Sequence, residues 1–248
     1  MTRLFIDTKI DEGVSTWEIG GDSARYLSDV LRMRAGEELI LCDAGRIDHV
    51  CEIVSVSKAL VAVSIRDRHP NGNEPMFEAM VYQGLAKGER MDLSIQKSVE
   101  LGVTRYVPTA CSRSIVKIKD GKDNKRERWQ AIALEAARQC GRGIVPEVGA
   151  VLSLEAALKE AQENCDLVLF PWEEEREGNL GKILRDVDFE KHPKIAIFIG
   201  PEGGFAEEEA KLAEDHGAKL VTLGKRILRT ETAAPAVLAM LVYRSELE

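Results

Sequence analysis

The stretch Ile195-Ala196-Ile197-Phe198-Ile199-Gly200-Pro201-Glu202-Gly203-Gly204-Phe205 is an apolar, partly β-branched run that stops at a glycine-marked turn. A second such pair follows, Leu220-Val221-Thr222-Leu223 and then Gly224-Lys225-Arg226-Ile227-Leu228-Arg229-Thr230-Glu231-Thr232-Ala233. Each turn leads into a segment of helical composition. Short apolar runs ended by glycine read as buried strands of a parallel sheet. In such sheets ligands sit beyond the carboxyl ends of the strands, where both turns fall.

Outward from this stretch the strand-then-helix pattern repeats. Residues 78–85 read as a strand, 91–100 as a helix stopped by Gly102, 105–108 as a short strand and 126–140 as a helix ended by Gly141. Ser153 is placed to cap a helix reaching residue 163. Residues 166–170 read as a buried strand, and helices are predicted near 179–185, over 206–216 and over 233–243. This alternation means an α/β fold with a mostly parallel sheet. Residues 1–70 read differently. Short apolar runs at 3–6, 38–42, 49–54 and 60–65 are separated by turns, including Asp43-Ala44-Gly45-Arg46, with one amphipathic helix over 23–33 and Gly36 as its stop. That series suggests a small β-barrel. His69-Pro70-Asn71-Gly72-Asn73-Glu74-Pro75 has the composition of a linker. Two domains follow, 1–72 and 73–248.

The 248 residues are long enough for a sizeable core, and 44% hydrophobic with 31% charged residues is a soluble globular profile. The amino terminus has no apolar signal segment, and no run approaches a membrane span. The five cysteines are scattered without a CxxC pair, which argues against a disulfide framework or zinc site and for a reducing, cytoplasmic setting. A net charge of −8 speaks against a nucleic-acid partner, but nine basic residues against four acidic ones lie between Cys111 and Arg142. A local basic face is what phosphate contacts need; read alone, the segment favours a solvated surface.

The first turn has neither the spacing of a P-loop nor the GxGxxG of a dinucleotide fold. It contains no basic residue, Glu202 adds a negative charge, and Glu207-Glu208-Glu209 occupy the start of the next helix. Those charges exclude a triphosphate. Adjacent glycines let backbone lie against a flat ligand, so an adenosine with little negative charge, such as S-adenosylmethionine, fits. In the second turn Ile227 and Leu228 offer apolar walls. Arg229 reads either as a substrate-facing cation or as an ion-pair partner of Glu231, and Thr230 or Thr232 as a helix cap.

These turns, together with Lys87-Gly88-Glu89-Arg90-Met91-Asp92, Gln96 to Val103, Ser112-Arg113-Ser114-Ile115-Val116-Lys117, Glu135-Ala136-Ala137-Arg138-Gln139-Cys140-Gly141-Arg142 and Val30-Leu31-Arg32-Met33-Arg34-Ala35-Gly36, resemble the RsmE family over the whole chain. These are bacterial small-subunit ribosomal RNA methyltransferases of the SPOUT superfamily, acting on N3 of a uridine. One departure is Arg25-Tyr26, where relatives carry a histidine. The resemblance implies an RNA-binding, PUA-like β-barrel at 1–72 and a trefoil-knotted sheet with helices on both faces at 73–248. It implies S-adenosylmethionine held by Leu169 and Pro171, by Gly200, Pro201, Glu202, Gly203 and Gly204, and by Leu223, Gly224, Ile227, Leu228 and Thr232. Arg229 and Glu231 are the expected catalytic pair. Arg3, Arg32, Lys87, Arg90, Arg113, Lys117, Arg138 and Arg142 are the expected contacts to small-subunit ribosomal RNA. A homodimer is implied; the chemistry requires neither metal nor membrane. Two rival readings are a 2′-O-methyltransferase on tRNA or rRNA and a non-catalytic RNA-binding assembly factor.

Overall fold

The computed structural model describes residues 1–114 and 125–248. Its contacts divide the chain into two units, Met1–Glu74 with Ala137–Val145, and Pro75–Ala136 with Pro146–Glu248.

The first unit is built on β1 (Thr2–Phe5), β2 (Thr16–Gly20), β3 (Glu38–Cys42), β4 (Ile47–Val56) and β5 (Leu60–Pro70), in the order β1-β3-β4-β5-β2. It is a half-barrel with β1 and β2 as edges. Alternation sets its inner face: Leu39, Leu41, Val61 and Val63 are buried together with Leu4 and Ile53. The 43–46 turn closes the β3–β4 hairpin as predicted, with Asp43 Oδ1 accepting from the N–H of Gly45 at 2.8 Å and of Ile47 at 3.1 Å. The helix expected over 23–33 is shorter. It comprises α1 (Gly21–Arg25) and one π-helical turn over Tyr26–Val30, and Arg32 at φ 54° ends it before Gly36 is reached. The segment read as a linker is instead anchored. Asn71 donates to Asp48 and to the Gly141 carbonyl, each at 3.0 Å, Asn73 donates to Gly141 at 2.9 Å, and Glu74 binds Arg142.

In the second unit β6 (Glu78–Gly84), α2 (Glu89–Glu100), β7 (Val103–Ala110) and α3 (Lys125–Cys140, shared with the first unit) match their predicted positions. They are followed by β8 (Glu147–Val148), β9 (Leu152–Ser153), α4 (Leu154–Asn164), β10 (Leu167–Pro171), α5 (Leu180–Arg185), β11 (Lys194–Ile199), α6 (Glu207–Asp215), β12 (Lys219–Val221) and α7 (Thr230–Val242). The strand order is β12-β10-β11-β6-β7-β8, with β9 also on β7, and every pairing is parallel. Ser153 caps α4 as expected, its Oγ accepting from Ala156 N–H at 3.2 Å. An aromatic column crosses the sheet: Tyr82 stacks on Phe198 at 4.6 Å, Phe198 meets Phe170 at 5.9 Å, and Phe170 meets Phe205 at 4.1 Å. Phe205 thereby pins the end of the first glycine turn into the core. The last helix begins at Thr230, one turn before the predicted Ala233, with Arg229 as its N-cap residue. Among the described residues no helix is long and apolar enough to cross a membrane.

Candidate functional site

A cleft of about 420 Å³ opens at the carboxyl ends of β10, β11 and β12, where a parallel sheet presents its loops. Its walls are the segments 171–173, 199–204 and 222–231. The cleft brings together eleven of the residues anticipated for cofactor and catalysis: Pro171, Gly200, Pro201, Glu202, Gly204, Leu223, Gly224, Ile227, Leu228, Arg229 and Glu231. Leu169, Gly203 and Thr232 are not among the lining residues. Leu169 is fully buried inside β10, Gly203 lies under the side chain of Arg113, and Thr232 is exposed one turn into α7. The alternation of strands explains Leu169: its neighbour Phe170 joins the aromatic column, and Leu169 points into the opposite side of the sheet core.

Glycine is required where the loops close on one another. Gly204 sits at φ 66°, and a Cβ there would stand 1.9 Å from Glu173 Oε1. A Cβ on Gly84, at the end of β6, would stand 2.4 Å from Pro201 N. At Gly84 side-chain carbon would meet the Pro201 and Gly200 backbone and push the 200–204 turn out of position, whereas at Gly204 the Glu173 carboxylate can swing aside and the left-handed φ is what favours glycine.

The electrostatics differ from the sequence expectation. Glu202 turns back to accept from the Lys87 N–H at 2.8 Å and from Arg90 Nη1 at 2.8 Å. Burial opposes its charge, yet those donors hold its carboxyl below the ordinary range. Arg90 Nε also lies 3.9 Å from Glu231 Oε2, so one guanidinium stands between two carboxylates in the cleft wall. Arg176, Lys225, Arg226 and Arg229 line the rest. The exclusion of anionic ligands by local charge therefore fails: the one acid of the first turn is neutralised and basic groups line the second. Glu209 does occupy the start of α6, accepting from Ala206 N–H at 2.9 Å and Ser112 N–H at 2.7 Å, but it is not a cleft residue.

Arg229 is exposed and makes no ion pair among the described residues; Glu231 pairs with Arg90 instead. Neither threonine caps α7. Thr230 Oγ1 donates to the Gly200 carbonyl at 2.6 Å. Glu173, Arg176 and Thr222 line the cleft without having been singled out, and Thr230, read as a possible helix cap, lines it as well; the glycine pattern held the signal only for their neighbourhood.

Two expected RNA contacts are corrected. Arg3 is 6% exposed and bonds both Asp48 oxygens at 2.6 Å; Arg142 is 3% exposed and grips Glu74 at 2.8 and 2.7 Å. Buried ion pairs of this kind cannot release a guanidinium to a phosphate without stranding a charge. Arg90 belongs to the cleft, and Arg113 Nη1 donates to the Gly203 carbonyl at 3.0 Å. The Arg138 guanidinium lies 4.8 Å over the Tyr26 ring. Arg32 and Lys87 are exposed, and Lys117 lies outside the described residues. Among the described residues no group of three or more side chains could hold a metal ion.

A model of the RNA methyltransferase domain family matches residues 73–242. A ribosomal RNA small subunit methyltransferase E of Bacillus subtilis is 35% identical, the match covering 100% of this chain and 98% of that protein. Among solved structures, a methyltransferase of Legionella pneumophila in complex with S-adenosylmethionine aligns at TM-score 0.84 and 33% identity, over 97% of this chain and 96% of that one. The ribosomal RNA small subunit methyltransferase E of Neisseria gonorrhoeae, bound to S-adenosylmethionine, aligns at TM-score 0.82 and 33% identity, over 98% and 97%.

Proposed function

The chain belongs to the RNA methyltransferase family, and from that premise we propose that it methylates N3 of a uridine in small-subunit ribosomal RNA, with S-adenosylmethionine as methyl donor. The observation that carries the reading is the three-walled cleft at the carboxyl ends of β10, β11 and β12, with Arg229 at its edge. Its residues fit the cofactor. Pro171, Leu223, Ile227 and Leu228 provide apolar surface for a purine, and the 200–204 backbone lies open to it because Gly200 and Gly204 carry no side chain. Leu169, Gly203 and Thr232 belong to the same three segments without lining the cleft.

When bound, the cofactor supplies an activated methyl group on a sulfonium sulfur. The chain must place a uracil in line with that group and keep water out. Uracil N3 becomes nucleophilic on losing its proton, and the charge spreads to the flanking carbonyl oxygens. Arg229, exposed and without an ion pair among the described residues, is the cation offered to them. Glu231 is the proton acceptor offered by the cleft, with Arg90 holding its carboxylate.

We assign residues 1–72 to a PUA-like RNA-binding barrel and 73–248 to the methyltransferase domain. Arg32, Lys87, Arg113, Lys117 and Arg138 are the retained RNA contacts. A trefoil knot is supported by the way one loop brackets the chain leaving β12: Trp172 N–H donates to the Val221 carbonyl at 3.1 Å, and Thr222 N–H donates to Gly178 at 2.9 Å. Chains as a rule avoid such threading. A homodimer is supported by exposed apolar residues on α2 and α7 and past the end of α7: Leu93, Met240, Tyr243 and Leu247.

Incubating the protein with small-subunit particles and methyl-labelled S-adenosylmethionine, then digesting the RNA to nucleosides, tests the reading. The label is expected in 3-methyluridine. Label in a 2′-O-methylated nucleoside, or none, would overturn it.

A further inference from the structure

Beneath the cleft lies a row of buried polar side chains that a catalytic role does not use directly. Tyr106 Oη donates to Ser94 Oγ at 2.8 Å, and Ser94 Oγ donates to Gln83 Oε1 at 3.1 Å. Gln83 Nε2 donates to Thr230 Oγ1 at 2.7 Å, and Thr230 Oγ1 donates to the Gly200 carbonyl at 2.6 Å. Gln83 is fully buried; Ser94 is 1% and Thr230 8% exposed.

The direction of the chain is fixed by counting protons. Each hydroxyl has one hydrogen to give, and the Gly200 carbonyl can only accept. Thr230 must therefore spend its hydrogen on Gly200 and accept from Gln83. The amide nitrogen of Gln83 faces three acceptors, since the carbonyls of Gly84 and Gly200 lie at 3.2 and 3.5 Å. Its oxygen faces the Ser94 hydroxyl, so the amide has one orientation. Burial pushes the Tyr106 phenol far above its ordinary value, which keeps it a donor at the head of the row.

Two cleft walls end at this row. Gly200 opens the first glycine turn, and Thr230 begins α7 next to Arg229 and Glu231. Gly84, the neighbour of Gln83, is the point where β6 meets Pro201 most closely. Gln83 thus hydrogen-bonds to both walls from within the sheet, while Arg90 spans them at the surface through Glu202 and Glu231.

We propose that Gln83 is a positioning residue of the cleft, holding the 200–204 turn and the first turn of α7 in one register through Thr230. The inference rests on the cofactor reading above for its binding consequence, not for its structural one. With the register held, the glycine backbone and the Arg229–Glu231 segment face a single cofactor. With it lost, only the Arg90 pairs to Glu202 and Glu231 at the surface tie the two walls together.

The test uses the whole chain and four variants. Thr230→Val keeps shape but removes the hydroxyl, Thr230→Ser restores it, and Gln83→Glu keeps size but places an acceptor against three acceptors. Thr104→Val is the control, since Thr104 makes a similar hydroxyl bond to the Ala79 carbonyl at 2.8 Å, at the opposite ends of the strands. Titration calorimetry with S-adenosylmethionine is expected to give a dissociation constant raised about tenfold or more in Thr230→Val and Gln83→Glu, the change that about 1.4 kcal/mol represents. Thr230→Ser is expected to recover most of that loss and Thr104→Val to bind as the parent does. Hydrogen–deuterium exchange without ligand should speed up in 200–204 and 229–233 together. Faster exchange in only one wall, or equal weakening by Thr104→Val, would overturn the proposal. A parent chain that binds no S-adenosylmethionine would overturn the cofactor reading instead, while the paired exchange still decides the role of Gln83.

Discussion

Replacing Arg90 by methionine isolates the electrostatics of the cleft wall. The side chain keeps its apolar stem and loses the guanidinium that bonds Glu202 at 2.8 Å and stands 3.9 Å from Glu231. A hydrogen bond to a charged group contributes roughly 1.5–3 kcal/mol. Arg90 is 40% exposed, so solvent screening lowers the figure to about 1 kcal/mol. For a chain of this length that corresponds to a melting shift of about 2–4 °C. The pH dependence is the sharper part. The Glu202 carboxyl is held below its ordinary value of 4.5, despite its burial, by the Lys87 N–H and Arg90. A carboxyl depressed in the folded state adds stability that is present above the unfolded value and is lost as the pH falls through the folded one. The gap in melting temperature between parent and Arg90→Met should therefore be full at pH 7 and close as the pH drops below about 4.5. Thermal melts across that range measure it. An equal gap at pH 7 and at pH 3.5 would refute the reasoning.

Three further substitutions test separate parts of the account. Gly204→Val, at φ 66° and against Glu173, should abolish S-adenosylmethionine binding by calorimetry while circular dichroism stays that of the parent. Phe205→Ala removes the end of the aromatic column and should cost about 3–5 kcal/mol in a denaturant melt. Arg3→Ala strands Asp48 in the first unit and should cost about 3–5 kcal/mol, yet leave the salt dependence of RNA binding unchanged. A shallower salt slope in Arg3→Ala would return that residue to the RNA-contacting set.

The fold was most legible where periodicity and glycine agreed. α2 and α3 end at Gly102 and Gly141, both at positive φ, as their sequences announce. β2, β8 and β9 went unread because two to five residues carry too little pattern, and β2 buries only Ile19. The early end of the first helix was hidden because Arg32, not a glycine, takes the left-handed conformation. The place of the cleft was legible from two glycine turns, but its charge was not. Glu202 finds Arg90 at a separation of 112 residues, and Arg142 finds Glu74 at 68. No local count of charges reveals such partners. The Gln83 row was invisible for the same reason, since Gln83 and Thr230 are 147 residues apart.

We propose methyl transfer from this cleft to N3 of a uridine in small-subunit RNA. A methyl on N3 blocks Watson–Crick pairing, so reverse transcriptase halts one nucleotide before the modified base. The most direct measurement maps such halts on small-subunit ribosomal RNA from cells lacking the protein, and from the same cells supplied with the parent chain or with Arg229→Ala. One strong halt at a uridine is expected with the parent chain and none with Arg229→Ala or without the protein. A halt that persists without the protein, or an Arg229→Ala chain that restores it in full, would contradict the account.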